Sequence, residues 1–195
     1  MVTEWRRYPE EECYTICSSS GYTALISREK TMSAPIEIEM NLVVKDKKAL
    51  LEHLAQQVDG VTSRISFNYF GKPNDTSFYV RVEERDEPTG VSYYLTAKGS
   101  FTSSDGINQR KEVTLPLDKD DVENCKALLG IVQLETRDTK TKTRHAFKID
   151  GLDVTLDEWD VASLGDRLEI EGTDEAKIKE FAATVSEYCD PEPSE

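Results

Sequence analysis

Pro35-Ile36-Glu37-Ile38-Glu39-Met40-Asn41-Leu42-Val43-Val44 is the stretch on which the fold turns. Side chains two apart on a strand share a face, so Ile36, Ile38, Met40 and Leu42 lie on one side. Glu37, Glu39 and Asn41 lie on the other. Two carboxylates about 7 Å apart on one strand face repel each other unless water solvates them or a cation bridges them. Taken alone, the stretch reads as the wet face of an ordinary half-buried strand.

Working outward, the same acid-apolar-acid spacing returns near the far end of the chain, in Leu168-Glu169-Ile170-Glu171. Asp157 adds an acid to the strand before it. The strands between carry bases: Arg81, Lys98, Arg110, then Lys142 and Arg144, with Lys148 further along the same face. If these faces converge, the acids form a hard oxygen-ligand site suited to Mg²⁺ or Mn²⁺ and the bases an anion site beside it. A polyphosphate would bridge the two, held by Lys and Arg on its oxygens. A sandwich with its apolar face inward and its charged face in water gives the same alternation, and Glu83 and Glu112 blur the separation of acids from bases.

The elements around these strands are legible in turn. Asp46 caps a helix over 45–58, with Leu50, Leu51 and Leu54 at helical spacing. Strands follow at 63–70, 77–84, 91–98 and 110–117, with a Ser-, Asp- and Gly-rich loop expected at 102–107. A second helix is expected over 119–129 and ends at Gly130. Strands are then expected at 131–136, 141–150, 152–160 and 166–172, with Asp150-Gly151 as a hairpin turn. The last helix is placed at 174–189, before Pro191-Glu192-Pro193. The elements make an α+β chain of about eight antiparallel strands, dominated by one sheet, with three helices; closure into a barrel with a polar interior, covered outside by the helices, would remove the sheet's edges, and the sandwich is the alternative. A poorly ordered leader is expected over 1–34, one domain over 35–189 and a disordered tail over 190–195.

A net charge of −14 over 195 residues repels polyanions and argues against nucleic acid or an anionic membrane as a partner. No apolar run approaches membrane-spanning length and no signal-peptide pattern is present, so the expected location is the cytoplasm. Cys13, Cys17, Cys125 and Cys189 read as free thiols rather than as a zinc site.

Together the motifs resemble those of the CYTH superfamily, the triphosphate tunnel metalloenzymes, which include class IV adenylyl cyclases and thiamine triphosphatases. The resemblance covers about 36–185 and rests on Glu37-Ile38-Glu39-Met40-Asn41, Tyr79-Val80-Arg81-Val82, Leu95-Thr96-Ala97-Lys98-Gly99, Arg110-Lys111-Glu112, Lys142-Thr143-Arg144 and Leu164 to Glu171. It implies an eight-stranded antiparallel tunnel in which Glu37, Glu39, Asp157, Glu169 and Glu171 bind Mg²⁺ or Mn²⁺. Arg81, Lys98, Arg110, Lys142 and Arg144 would hold a triphosphate such as ATP, thiamine triphosphate or tripolyphosphate, with Lys98 and Arg144 acting in catalysis. The implied activity is a triphosphatase, or a cyclase converting ATP to cyclic AMP and pyrophosphate, in a monomer or homodimer. The sequence departs from the signature at Asn41, where the family has Lys, and at Glu83, where it has the second Arg of an Arg-x-Arg pair. Lys45 and Lys148 are candidates to compensate, and a non-catalytic phosphate-binding module is the alternative.

Overall fold

The structure, a computed structural model, describes residues 35–192 and three short strands within the leader. Residues 1–4, 8–12, 18–22, 28–34 and 193–195, to which the expected loose leader and tail extend, lie outside the described residues. In the leader, β1 (Trp5–Arg7), β2 (Cys13–Cys17) and β3 (Thr23–Ser27) pair in order as an antiparallel sheet. They belong to a unit, Met1–Ala34, separate from the unit Pro35–Glu195.

The second unit is a closed barrel. Its strands are β4 (Ile36–Val44), β5 (Val61–Gly71), β6 (Phe78–Glu87), β7 (Gly90–Ser104), β8 (Ile107–Leu117), β9 (Glu135–Ile149), β10 (Leu152–Trp159) and β11 (Arg167–Glu171). Around the barrel the order is β11-β10-β9-β5-β6-β7-β8-β4, and β4 pairs back onto β11, so the ring of eight antiparallel strands has no free edge. A further strand, β12 (Cys189–Pro191), pairs with β4 at Val44 to Leu42. Asp190 and Pro191 therefore extend a sheet rather than a disordered tail. The apolar side chain of Cys189 is buried there and anchors them.

Three helices cover the outside: α1 (Lys47–Ala55), α2 (Val122–Ile131) and α3 (Glu175–Thr184). Asp46 caps α1 through the Ala49 amide, and Asp174 caps α3 through the Ala176 and Lys177 amides. Leu50 and Leu54 of α1 and Ile178 and Phe181 of α3 pack on Leu42, Val154, Leu156, Leu168 and Ile170, the outward residues of β4, β10 and β11. A second, smaller cluster joins Leu129 and Leu134 to Phe70, Val80 and Val82. The apolar core thus lies between barrel and helices, as an amphipathic strand with an inward polar face requires. Leu168 has no exposed surface. Leu168→Ala is expected to cost about 3 kcal/mol in urea unfolding, because the hole it leaves is walled by both layers.

The strands run longer than their sequence patterns. Residues 102–107 form the tip of the β7–β8 hairpin, not a loop. Asp105 and Gly106 take φ of 50° and 77°, the same left-handed pair as Asp150 and Gly151 at 51° and 82°. Both fit the tight turn whose twist matches its strands. The expected strands 131–136 and 141–150 are one strand, β9, whose pairing with β5 shifts register at Tyr69/Phe70. Residues 131–134 instead end α2 and its turn, since Gly130 lies within the helix rather than stopping it. Among the described residues no helix is long and apolar enough to cross a membrane.

Candidate functional site

Strand register decides which charges meet. Glu37 lies opposite Arg110, Tyr79 opposite Lys98, Lys98 opposite Glu112, and Asp157 opposite Arg144. At the closing seam Glu39 lies opposite Glu171 and Asn41 opposite Glu169. The inward faces line a cavity of about 320 Å³ bounded by Glu37, Asn41, Arg81, Lys98, Arg110, Lys142, Arg144, Asp157, Glu169 and Glu171, with Arg85, Arg167, Tyr69, Tyr79 and Trp159 also on its wall. Of the ten residues expected in the site, nine line this cavity. Glu39, the other one, is buried and reaches the same group through Arg110.

Each base in the tunnel has an acid against it. Lys98 Nζ donates to both oxygens of Glu37 at 2.9 and 3.2 Å and stands 2.5 Å from Glu112. Arg110 donates from Nε to Glu37 at 2.8 Å and from Nη2 to Glu39 at 3.0 and 3.1 Å. Arg144 forks onto Asp157 at 2.6 and 2.7 Å and reaches toward Glu169 at 3.6 Å. Lys142 donates to the same Asp157 and lies between the rings of Trp159 and Phe67, 4.7 and 5.1 Å from their centroids.

These surroundings split the carboxylates into two kinds. Burial works to raise the pKa of Glu169, but Arg144, Lys98 and Lys142 outweigh it and hold it at about 2. At Glu37 burial is the largest influence, but Lys98 together with hydrogen bonds to Glu112, Arg110 and Lys98 outweighs it and keeps the pKa low. Glu39 goes the other way: burial, then the neighbouring Glu169, raises it to about 7. Glu171 is also raised to about 7, by burial and then by Glu37 and Glu169. Lys142 is pushed down to about 8 by burial and then by Arg144.

A raised native pKa favours folding at low pH, and its contribution is lost as pH rises through it; a depressed one favours folding at high pH, and its contribution is lost as pH falls. Without divalent metal, stability is therefore expected to increase as pH falls from about 7 toward the ordinary carboxylate range, through Glu39 and Glu171. It is expected to decrease again toward pH 2 as Glu169 gives up its ion pairs. Urea midpoints measured across this range check both limbs.

The donor chemistry of the seam fits a hard divalent cation. Glu39, Glu169 and Glu171 crowd like charge there, and the buried hydroxyl of Thr155, opposite Glu169 in the register, has no hydrogen-bond partner. Among the described residues, no three acidic, His or Cys side chains already stand close enough to grip an ion. Asp157 and Glu37 fit the role less well, since the first is held by Lys142 and Arg144 and the second by Lys98 and Arg110.

Neither candidate replacement for the missing lysine at Asn41 reaches the tunnel. Lys45 pairs with Asp190 at 3.0 Å, and the largely exposed Lys148 pairs with Asp153. Asn41 itself donates to Glu39 at 3.1 Å. The sequence reading missed Arg85, whose spacing of two residues from Glu83 and four from Arg81, on one strand face, was the available signal. It also missed the tunnel aromatics: Phe67 and Tyr69 share a face with Ser63 opposite Arg144, a placement visible only once β5 is paired with β9.

No protein-family profile and no curated protein matches this sequence. Solved structures do match in fold. A "putative adenylate cyclase" from Vibrio parahaemolyticus is 16% identical, with a TM-score of 0.62 over 83% of this chain and 95% of its own. A "putative adenylyl cyclase" from Hippeastrum, described as having a dominant triphosphatase activity, is also 16% identical, with a TM-score of 0.62 over 82% and 92%. A chain of the Schizosaccharomyces pombe Mediator head module is 12% identical, with a TM-score of 0.64 over 80% and 97%. The closed eight-stranded barrel of this chain shares its fold with these three proteins.

Proposed function

We propose that this protein is a divalent-metal-dependent enzyme acting on the phosphoanhydride of a triphosphate, with hydrolysis as the primary reaction. One observation carries the reading: Lys98, Arg110, Lys142 and Arg144 converge on one small cavity that also holds Glu169 and Glu171. Lys98, Arg110 and Arg144 would exchange carboxylate partners for phosphate oxygens, which have the same charge sign and fork geometry. Arg144 and Lys98 would then neutralise charge developing on the transferred phosphoryl group and its leaving oxygen. Lys142, with a pKa of about 8, would hold or release a proton at Nζ near neutral pH. Glu39, Glu169 and Glu171 would hold Mg²⁺ or Mn²⁺, which when bound supplies Lewis-acid polarisation of a phosphoryl oxygen. The barrel wall positions all of these groups on rigid strands and limits water around the chain.

Hydrolysis is favoured over cyclisation because the residues identified grip a phosphate chain, whereas cyclisation also needs a ribose hydroxyl aligned for attack. Incubating the full chain with ATP, thiamine triphosphate and tripolyphosphate, each with Mg²⁺ or Mn²⁺, and separating phosphate, pyrophosphate and cyclic nucleotide tests the reading. Phosphate release is expected, and cyclic AMP would reassign the reaction. The second reading, a phosphate-binding module without turnover, is supported by the carboxylate partner that each of these four bases already has. Calorimetric binding of tripolyphosphate without product would establish it.

A further inference from the structure

The side chain of Glu83 has no exposed surface, although it points into a tunnel. One of its oxygens accepts from Arg81 Nε and from Thr96 Oγ1 at 2.9 Å. The other accepts from Arg85 Nε at 3.0 Å and Nη2 at 2.9 Å. Four donors thus saturate one carboxylate. Burial pushes its pKa up, but Arg81 and then Arg85 outweigh this and keep it ionised. Both arginines line the same cavity as Lys98, Arg110, Lys142 and Arg144. Two guanidinium groups and a hydroxyl converging on two anionic oxygens form the arrangement that binds a phosphoryl group.

We propose that Glu83 is a resident anion: it occupies the Arg81–Arg85 part of the tunnel's anion site and limits the length of phosphate chain the protein holds. This rests on the tunnel being a phosphate site. A phosphoryl group reaching Arg81 and Arg85 has to displace a carboxylate that has no water to turn to, which makes the exchange costly. Lys98, Arg110 and Arg144 differ, because each faces two carboxylates and can release one to a phosphate oxygen while keeping the other, whereas Arg81 and Arg85 share Glu83. A chain held by those bases therefore gains little from one more phosphoryl group. Glu83 is a specificity-determining residue in this sense, acting by occupying cations rather than by touching substrate.

Pyrophosphate and tripolyphosphate titrated by calorimetry into the full wild-type chain and into Glu83→Gln, at one ionic strength, test this. Gln keeps the shape and can still bond Thr96, but it lacks the charge. In the wild type, tripolyphosphate is expected to bind less than about tenfold more tightly than pyrophosphate, and in Glu83→Gln about tenfold or more. A wild-type preference of about tenfold or more, or the same preference in both proteins, overturns the proposal. If the variant does not fold, the wild-type preference decides alone. Failure of both anions to bind either protein is a different result: it rejects the phosphate site, and the role of Glu83 with it.

Discussion

Glu169→Gln is expected to lower metal-dependent turnover of tripolyphosphate by about two orders of magnitude or more, while metal-free binding of the anion stays level or tightens. The two effects separate because Glu169 sits between two charge environments. On one side Arg144, Lys98 and Lys142 hold it ionised at a pKa of about 2. On the other it repels Glu39 across the seam and Glu171 two residues along its own strand. Removing its charge relieves the bases of an internal competitor, so an anion is held no less well. The acidic seam loses the carboxylate common to both of its like-charge contacts, so its capacity for a divalent cation falls. Unchanged turnover, with the circular dichroism of the wild type, would remove Glu169 from the metal assignment.

Asp157→Ala is expected to destabilise the barrel by about 3–5 kcal/mol, the usual cost of stripping a buried charge of its partner. Asp157 is 5% exposed at its side chain and Lys142 3% exposed. Without it, Lys142 and Arg144 would stand side by side as buried like charges, with Glu169 3.6 Å from Arg144 and the aromatic faces of Phe67 and Trp159 near Lys142 as partial compensation. Asp157→Asn should cost less, since the amide oxygen still accepts one bond. Urea unfolding of both variants measures this. If Asp157→Ala kept wild-type stability and lost only its response to Mg²⁺, Asp157 would return to the metal ligands, where the family resemblance puts it.

The difference at Asp157 shows where sequence reading stops. Alternation on one strand fixes which side chains share a face: it pairs Glu37 with Glu39 and Glu169 with Glu171, while the family resemblance brings the two pairs together. It carries no information about which strand lies alongside. That β10 sits between β9 and β11, putting Asp157 opposite Arg144, is a property of pairing. The same limit hid Phe67, an apolar side chain inside a polar tunnel, whose ring lies 5.0 Å below the Arg81 guanidinium. Strand lengths failed for another reason. The polar residues 102–106 look like a loop because both faces are wet, yet the Asp105-Gly106 pair has the same turn chemistry as Asp150-Gly151. The helices were the most legible elements, since Asp46 and Asp174 announce their starts and leucine spacing their buried faces.

Closure of the ring through β4 and β11 also sets a schedule. During synthesis β4 emerges first among the barrel strands, and the residues of β11 that complete it follow more than a hundred positions later. At ribosomal rates of about 5–20 residues per second, that edge of β4 waits on the order of ten seconds for its partner. An apolar strand left open that long would recruit another nascent chain. Glu37 and Glu39 carry charge on this strand throughout the wait, so the carboxylates proposed to serve the finished tunnel also guard the unfinished one.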